Sequence, residues 1–508
     1  MRPVHYILAA IVAAAIAVGA LEDRPVVSEF VPEMHGAFKD RWLAKHPGLD
    51  EEAFRRNWDE RTHITYWEKW AGFEGEGARK MVDAFNDSQD EIYCHYIPTT
   101  EVDRKTLLAI VGGCPPDVAG LWGYSVPPFA DANALMPLDT LMAESKPPLT
   151  AAHYVPNYLK LCQYRGRTYA LPSSPATIAL YCNLDHFERK ADKLRAAGLD
   201  PDGAPRTITE LDAYAEILTE AAKLGPDGLA VGPPNVMGFM PTEPGWFTES
   251  WVYFFGGRLA DEAGNITTAE PANIRAFAWL RSYATRYGGT NLRRFQEGFG
   301  NYDSPQNAFI DGKVSMVLHG TYFAAFIDRH RPNLRYKVVP FPPAEGVPGP
   351  RSLLVEDVLV IPKGCPHPEA AWTFLHFVQT KGLPILCRLL GRHLPIRATP
   401  AGFAQTHPNP FLNVFTELAH SKHSFIMPQS VVWREYRQEM RDAFDHIWLW
   451  KVPKAELAGL SGKARDTRIA ELCKQEIVKT LRGVQERMTD RLKQKHLRIE
   501  MRRKRAGT

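Results

Sequence analysis

The residues best placed to do chemistry are the aromatics of Leu121-Trp122-Gly123-Tyr124-Ser125, at the end of an apolar run that reads as a strand. Flat aromatic rings at the tip of a strand in an open α/β sheet offer a stacking surface where such sheets hold ligands. The chemistry they imply is recognition, because no catalytic signature accompanies them. Catalytic patterns are missing from the sequence: it holds no P-loop, HExxH, GxSxG or GxGxxG. Carboxylate neighbours exist, for example Glu356-Asp357. Adjacent residues on a strand point to opposite faces, however, and cannot flank one glycosidic bond. The seven cysteines are scattered and never form CxxC, so no metal or redox motif is present, and no cofactor is expected.

The elements that position the cluster repeat as strand, helix, strand, helix, strand over residues 63–139. A strand at 63–67 precedes a helix with Ala78, Met81, Val82 and Phe85 on one face. A strand at 91–97 and a helix carrying Leu107, Leu108 and Val111, stopped by Gly112-Gly113, lead to the third strand at 117–121. Alternation of this kind predicts βαβ units and a mainly parallel sheet. A second α/β block begins with a strand at 178–183. It continues through a helix at 186–197, a helix opened by the capping box Thr207-x-x-Glu210 and ended at Gly225, and a helix at 271–286 with Pro at its first position. Strands at 314–318, 336–339 and 357–361, a helix at 368–380 and a last helix at 469–492 complete the pattern.

At 508 residues the chain exceeds what one core supports, so two lobes are expected. The last eighteen residues hold eight Lys/Arg against one Glu, an excess of seven over the whole chain's +3, which leaves everything before them net −4. That balance argues against nucleic acid as a partner. The basic tail reads as a solvated end. Arg2 and His5 precede an apolar run at 6–21 ending in small residues, the pattern of a signal peptide over residues 1–21, with an uncleaved anchor as the alternative.

Four segments carry a family resemblance in order. Gly166-Arg167-Thr168-Tyr169-Ala170-Leu171-Pro172 leads into Ala179-Leu180-Tyr181-Cys182-Asn183-Leu184-Asp185. Gly256-Gly257-Arg258-Leu259 follows Trp246 and Trp251. Phe309-Ile310-Asp311-Gly312-Lys313-Val314-Ser315-Met316 runs on to Gly320-Thr321-Tyr322. Ile361-Pro362-Lys363-Gly364 precedes Pro368-Glu369-Ala370-Ala371-Trp372-Thr373-Phe374-Leu375. Together, over roughly residues 63–490, they resemble bacterial extracellular solute-binding protein family 1, the sugar-binding component of ABC importers of the maltose-binding-protein type.

The resemblance implies a two-lobed α/β periplasmic-binding-protein fold (type II), each lobe a mainly parallel sheet with helices on both faces, and a hinge crossed three times. It apportions the chain as an extension at 22–60, an N-terminal lobe at 61–174 and 315–375, a C-terminal lobe at 175–314 and 376–490, and a basic tail at 491–508. It implies a monomer without enzymatic activity, exported to the periplasm and tethered to the inner membrane if the leader stays uncleaved. Such a protein captures a mono- or oligosaccharide in an interlobe cleft by hinge closure and delivers it to the permease subunits of an ABC importer. The alternatives are a secreted carbohydrate-active enzyme and an envelope interaction protein on the same fold. On the loops where this family holds its ligand stand Trp67, Trp70, Trp122, Tyr124 and Trp246, then Tyr322 and Trp433, with Trp122 and Trp433 expected to stack on sugar from opposite lobes. Glu68, Glu74 and Glu356 are the carboxylates nearest the expected site. Trp251, Trp279, Trp372, Trp448 and Trp450 fall in helical patterns and read as core. One departure is Ala176, where the family type presents a Glu after the Pro of its first crossing.

Overall fold

The computed structural model describes residues 32–220 and 232–506. The leader expected at 1–21 and the end of the helix expected to reach Gly225 lie outside these. In chain order the elements used below are α1 (Pro32–Lys45), α2 (Glu51–Glu60), β1 (Thr62–Glu68), α3 (Gly72–Asn86), β2 (Ile92–Pro98), α4 (Val102–Gly112), β3 (Val118–Trp122), β4 (Leu171–Asn183), α5 (Ile208–Leu218), β5 (Met237–Phe239), α6 (Pro271–Tyr287), β6 (Val314–Gly320), α7 (Phe323–His330), β7 (Tyr336–Val339), β8 (Leu354–Val360), α8 (Pro368–Phe377), α9 (Trp433–Leu449) and α10 (Gly462–Ala506).

The chain divides into two compact units. The first runs through Pro175 and takes up Glu356–Leu390 and Leu394–Phe403; the second holds Ala176–Val355, Gly391–His393 and the chain from Ala404 on. The chain therefore passes between units at Pro175, at Val355 and over residues 390–404. Residues 315–355, which the sequence places with the N-terminal lobe, lie inside the second unit, and 376–390 and 394–403, which it places with the C-terminal lobe, lie inside the first.

In the first unit the strand order is β2-β1-β3-β8, with β1 parallel to both neighbours and β8 antiparallel to β3. The parallel part is the βαβαβ run read from the sequence. α3 buries Ala78, Met81, Val82 and Phe85, the face its spacing predicts. Leu107, Leu108 and Val111 of α4 are not core: Leu108 and Val111 face solvent and Leu107 is largely exposed, while the buried residues of that helix are Val102 and Thr106. The register sets Trp122 opposite Asp357 and Glu68 opposite Pro98, so the ends of β1 and β3 meet the start of β8 at one end of the sheet.

The 22–60 extension, unreadable in role from its sequence, supplies α1 and α2. Asp50 caps α2 by accepting the Ala53 N–H at 2.9 Å. Phe38, Trp42 and Phe54 form a buried cluster with Tyr93 of β2. Arg41 pairs with Asp83 and Asp87 of α3 and its following turn, and Arg61 donates to the Ile92 carbonyl at 3.1 Å.

In the second unit β4 lies between β6 and β7, antiparallel to each, and β5 is parallel to β6. Both sheets are thus mixed, antiparallel where a strand returns from the other unit and parallel where helices connect strands. The capping box holds in part: Thr207 Oγ1 accepts the Glu210 N–H at 3.1 Å, while the Glu210 carboxylate turns to Arg206. Trp251 and Trp279 are core as expected, packed with Phe239, Tyr283 and Phe341, and Asp212 accepts from both the Trp279 indole (3.0 Å) and the Tyr283 hydroxyl (2.6 Å). Trp448 is also buried, whereas Trp372 and Trp450 are half-buried.

Candidate functional site

The first unit gathers a group at the strand ends that pairwise distances tie together. Glu68, the last residue of β1, is fully buried and turned against the backbone of β3. A Cβ on Gly120 would fall 1.9 Å from Glu68 Oε2, so only glycine leaves room for the carboxylate. The Tyr66 hydroxyl donates to Glu68 Oε2 at 2.7 Å, and Lys69 donates to Oε1 from its backbone N–H (2.7 Å) and its ammonium (2.9 Å). The same ammonium lies 3.0 Å from Asp357 Oδ1 on β8. Burial alone would lower the Lys69 pKa, but the Asp357 and Glu68 carboxylates outweigh it and hold the amine protonated far above neutrality. Lys69 is therefore a fixed cation and no nucleophile or base.

Over that cation stand the aromatics. The Lys69 ammonium is 4.6 Å from the Trp122 ring centre and 5.1 Å from that of Trp70, within cation–π range of both. Trp122 is 36% exposed and lies parallel to Tyr124, with 6.2 Å between ring centres and 7° between planes. Trp70 meets Trp122 edge-on at 6.4 Å and is itself buried. The Ser125 hydroxyl donates to Asp103 of α4 at 2.5 Å; burial pushes the Asp103 carboxyl up. The result is a shelf of parallel rings with open area, resting on an ionic network that sets its position. Trp67, at the end of β1, is half-buried, and Glu74 is buried in the first turn of α3.

Glu356 is one of the carboxylates that the sequence sets nearest the expected site. It is buried, its two oxygens have no hydrogen-bond partner among the described residues, and burial together with neighbouring Asp357 pushes its pKa well above the carboxylate range. Burial thus favours its neutral form.

In the second unit, Trp246 and Tyr322 come together around Tyr302. Trp246 meets that ring edge-on at 5.2 Å, and Tyr322 does so at 5.4 Å. His319, which the sequence does not single out, lies 5.8 Å from Trp246 and 5.4 Å from Tyr322, stacked on Phe323 at 3.8 Å. Its Nδ1 accepts the Gly320 N–H at 3.0 Å, and burial drops its pKa to about 3, so the ring is neutral. The Arg392 guanidinium sits 5.1 Å above Tyr322. Arg437 anchors the loop by donating to the Trp246 carbonyl at 3.1 Å while pairing with Glu249.

Trp433 corrects the sequence reading. It is 2% exposed at the start of α9, edge-on to Tyr436 at 5.7 Å, because the first turn of that helix points its largest residue inward. It is packing. Lys69, His319 and Arg392 went unnoticed in the sequence, and Asp357 was weighed only as the neighbour of Glu356; a lysine directly after a strand-ending Glu was the one local signal. Among the described residues, no group of three or more His, Cys, Asp or Glu is placed to hold a metal ion.

Residues 74–382 match the family model described as bacterial extracellular solute-binding protein. A binding protein of Brucella abortus (strain 2308) is 25% identical over 349 residues, 66% of this chain and 75% of that protein. Among solved structures, CpMnBP1 with mannobiose bound is 23% identical with a TM-score of 0.65, covering 82% of this chain and all of that one. An ABC transporter solute-binding protein from Thermotoga lettingae bound with α-D-tagatose is 20% identical with a TM-score of 0.60, covering 83% of this chain and 100% of the other. At these identities the structural likeness establishes the fold.

Proposed function

This chain belongs to the bacterial extracellular solute-binding proteins, and from that premise we propose that it captures a mono- or oligosaccharide unchanged and delivers it to the permease subunits of an ABC importer. The observation that carries the reading is the Trp122–Tyr124 shelf, parallel within 7° and open to solvent at Trp122. A pyranose presents flat C–H faces that stack on such rings, and hydroxyls that need donors and acceptors. The second unit offers Trp246 and Tyr322, with Arg392 over the latter, as groups of the same kind. The mannobiose and tagatose carried by two structural neighbours support carbohydrate as the ligand class. Uptake in this reading closes the two lobes about the chain's passages near Pro175 and Val355. The protein works as a monomer in the periplasm, exported by the leader at 1–21.

Binding without turnover accords with the side chains at hand. Lys69 is held as a cation, and Glu356, whose burial favours the neutral form, and the ion-paired Asp357 stand on successive positions of one strand, unsuited to act in concert across a bond. Incubation with a panel of neutral mono- and oligosaccharides, followed by tryptophan fluorescence and chromatography of the recovered sugar, tests this. A saturable fluorescence change with intact sugar is expected. Accumulating hydrolysed or eliminated product would transfer the protein to the carbohydrate-active enzymes.

A further inference from the structure

The helix α10 is 45 residues long, and only one of its sides is packed. Ile477, Leu481, Val484 and Met488 form its buried stripe at spacings of four, three and four, and Ile499 continues it. Against that stripe Arg487 pairs with Glu439 of α9, and Arg491 lies 3.7 Å from the same carboxylate. Two apolar residues break the pattern. Leu497 is 57% and Met501 46% exposed, and at 100° per residue Leu497 stands about 180° around the helix from Met488. Lys493, Leu497, Met501 and Lys504 follow one another at spacings of four, four and three, so the pair sits between two exposed lysines on a single outward face. Exposed Arg498 flanks that face on one side and exposed Glu500 on the other.

The charge around this face is segregated from the rest of the protein. Residues 491–508 carry eight Lys/Arg and one Glu, while the chain before them is net −4. A solvated helix end has no use for two exposed apolar residues framed by cations. A helix lying on an anionic bilayer needs both, the cations for phosphate headgroups and the apolar pair for the acyl boundary. We propose that the last turns of α10, from Lys493 to Lys504, are a docking face for an anionic phospholipid surface. It would hold the protein beside the membrane independently of its ligand site. No described helix is long and apolar enough to cross a membrane, so this contact is peripheral.

The test is cosedimentation of the purified full chain with vesicles of phosphatidylcholine alone or with about 30 mol % phosphatidylglycerol, at low and high salt. Binding to the anionic vesicles is expected to exceed that to neutral ones at least about tenfold and to fall steeply with salt. Combined Lys493→Gln, Arg498→Gln and Lys504→Gln should weaken it about ten- to a hundredfold, with the far-ultraviolet circular dichroism unchanged. Leu497→Ser with Met501→Ser should remove the part of the binding that survives high salt. All forms share one N-terminus, so any leader contributes equally. Equal partition to both vesicle types, or a triple variant that binds like the parent, overturns the proposal. So does a chain that ignores vesicles yet is retained on polyglutamate in a manner the triple variant loses, which would make an acidic polypeptide the partner.

Discussion

Replacing Lys69 by Met removes a cation that two buried carboxylates share while keeping most of the side-chain volume. The ammonium is 2.9 Å from Glu68 and 3.0 Å from Asp357. At an effective dielectric of about 20, each separation corresponds to about 5–6 kcal/mol of attraction. Desolvating the three ions offsets much of that sum, and removing one partner of a buried ion pair costs about 3–5 kcal/mol. The cost should stand well above that of neutralising an exposed lysine, because two buried carboxylates lose the ammonium they share. Urea unfolding at about pH 8, with amide hydrogen exchange in β1 and β3 to report on the first unit, measures it. A deficit below about 1 kcal/mol refutes the network as described.

Three further outcomes follow from the geometry. Burial raises the Glu243 carboxyl to about 7, against a lowering by the Gln296 amide. The parent should then lose stability relative to Glu243→Gln as pH rises from about 4.5 through 7, by as much as about 3 kcal/mol in thermal unfolding; a pH-independent difference would show the carboxyl to be hydrated. Trp433→Ala should cost about 3–5 kcal/mol of stability while the folded fraction binds sugar normally, and lost affinity at an unchanged melting temperature would restore it as a ligand platform. Phe54→Ala, deleting a fully buried ring where α2 meets Tyr93, should destabilise the first unit by about 3–5 kcal/mol, whereas no change would make α1 and α2 a mere appendage.

The sheet of the first unit was legible because its period is local. Helix faces at i, i+3, i+4 and strands of five to seven residues need no partner to be read, and β1, α3, β2 and β3 fall within a residue or two of their expected limits or, for α3, on the expected face. What was hidden depends on distant residues. Asp357 reaches Lys69 only because β8 returns antiparallel beside β3, and the need for glycine at 120 exists only once Glu68 turns against it. A resemblance transfers positions but no burial, which is why Trp433 read as a platform and Glu356 as a carboxylate near the site. The place of Trp122 at a strand tip was readable because the apolar run of β3 ends there. The helix α1 lacks a sharp apolar face in its sequence and gains its place from Phe38 and Trp42 packing on α2 and Tyr93.

Calorimetry of the parent and of Trp122→Ala against neutral mono- and oligosaccharides bears most directly on the claim that the first-unit shelf holds sugar. The parent should bind at least one saturably, and the variant should lose about 1–3 kcal/mol, ten- to a hundredfold in affinity, at an unchanged melting temperature. Heat with no neutral sugar, or equal affinity in the two proteins, would contradict it.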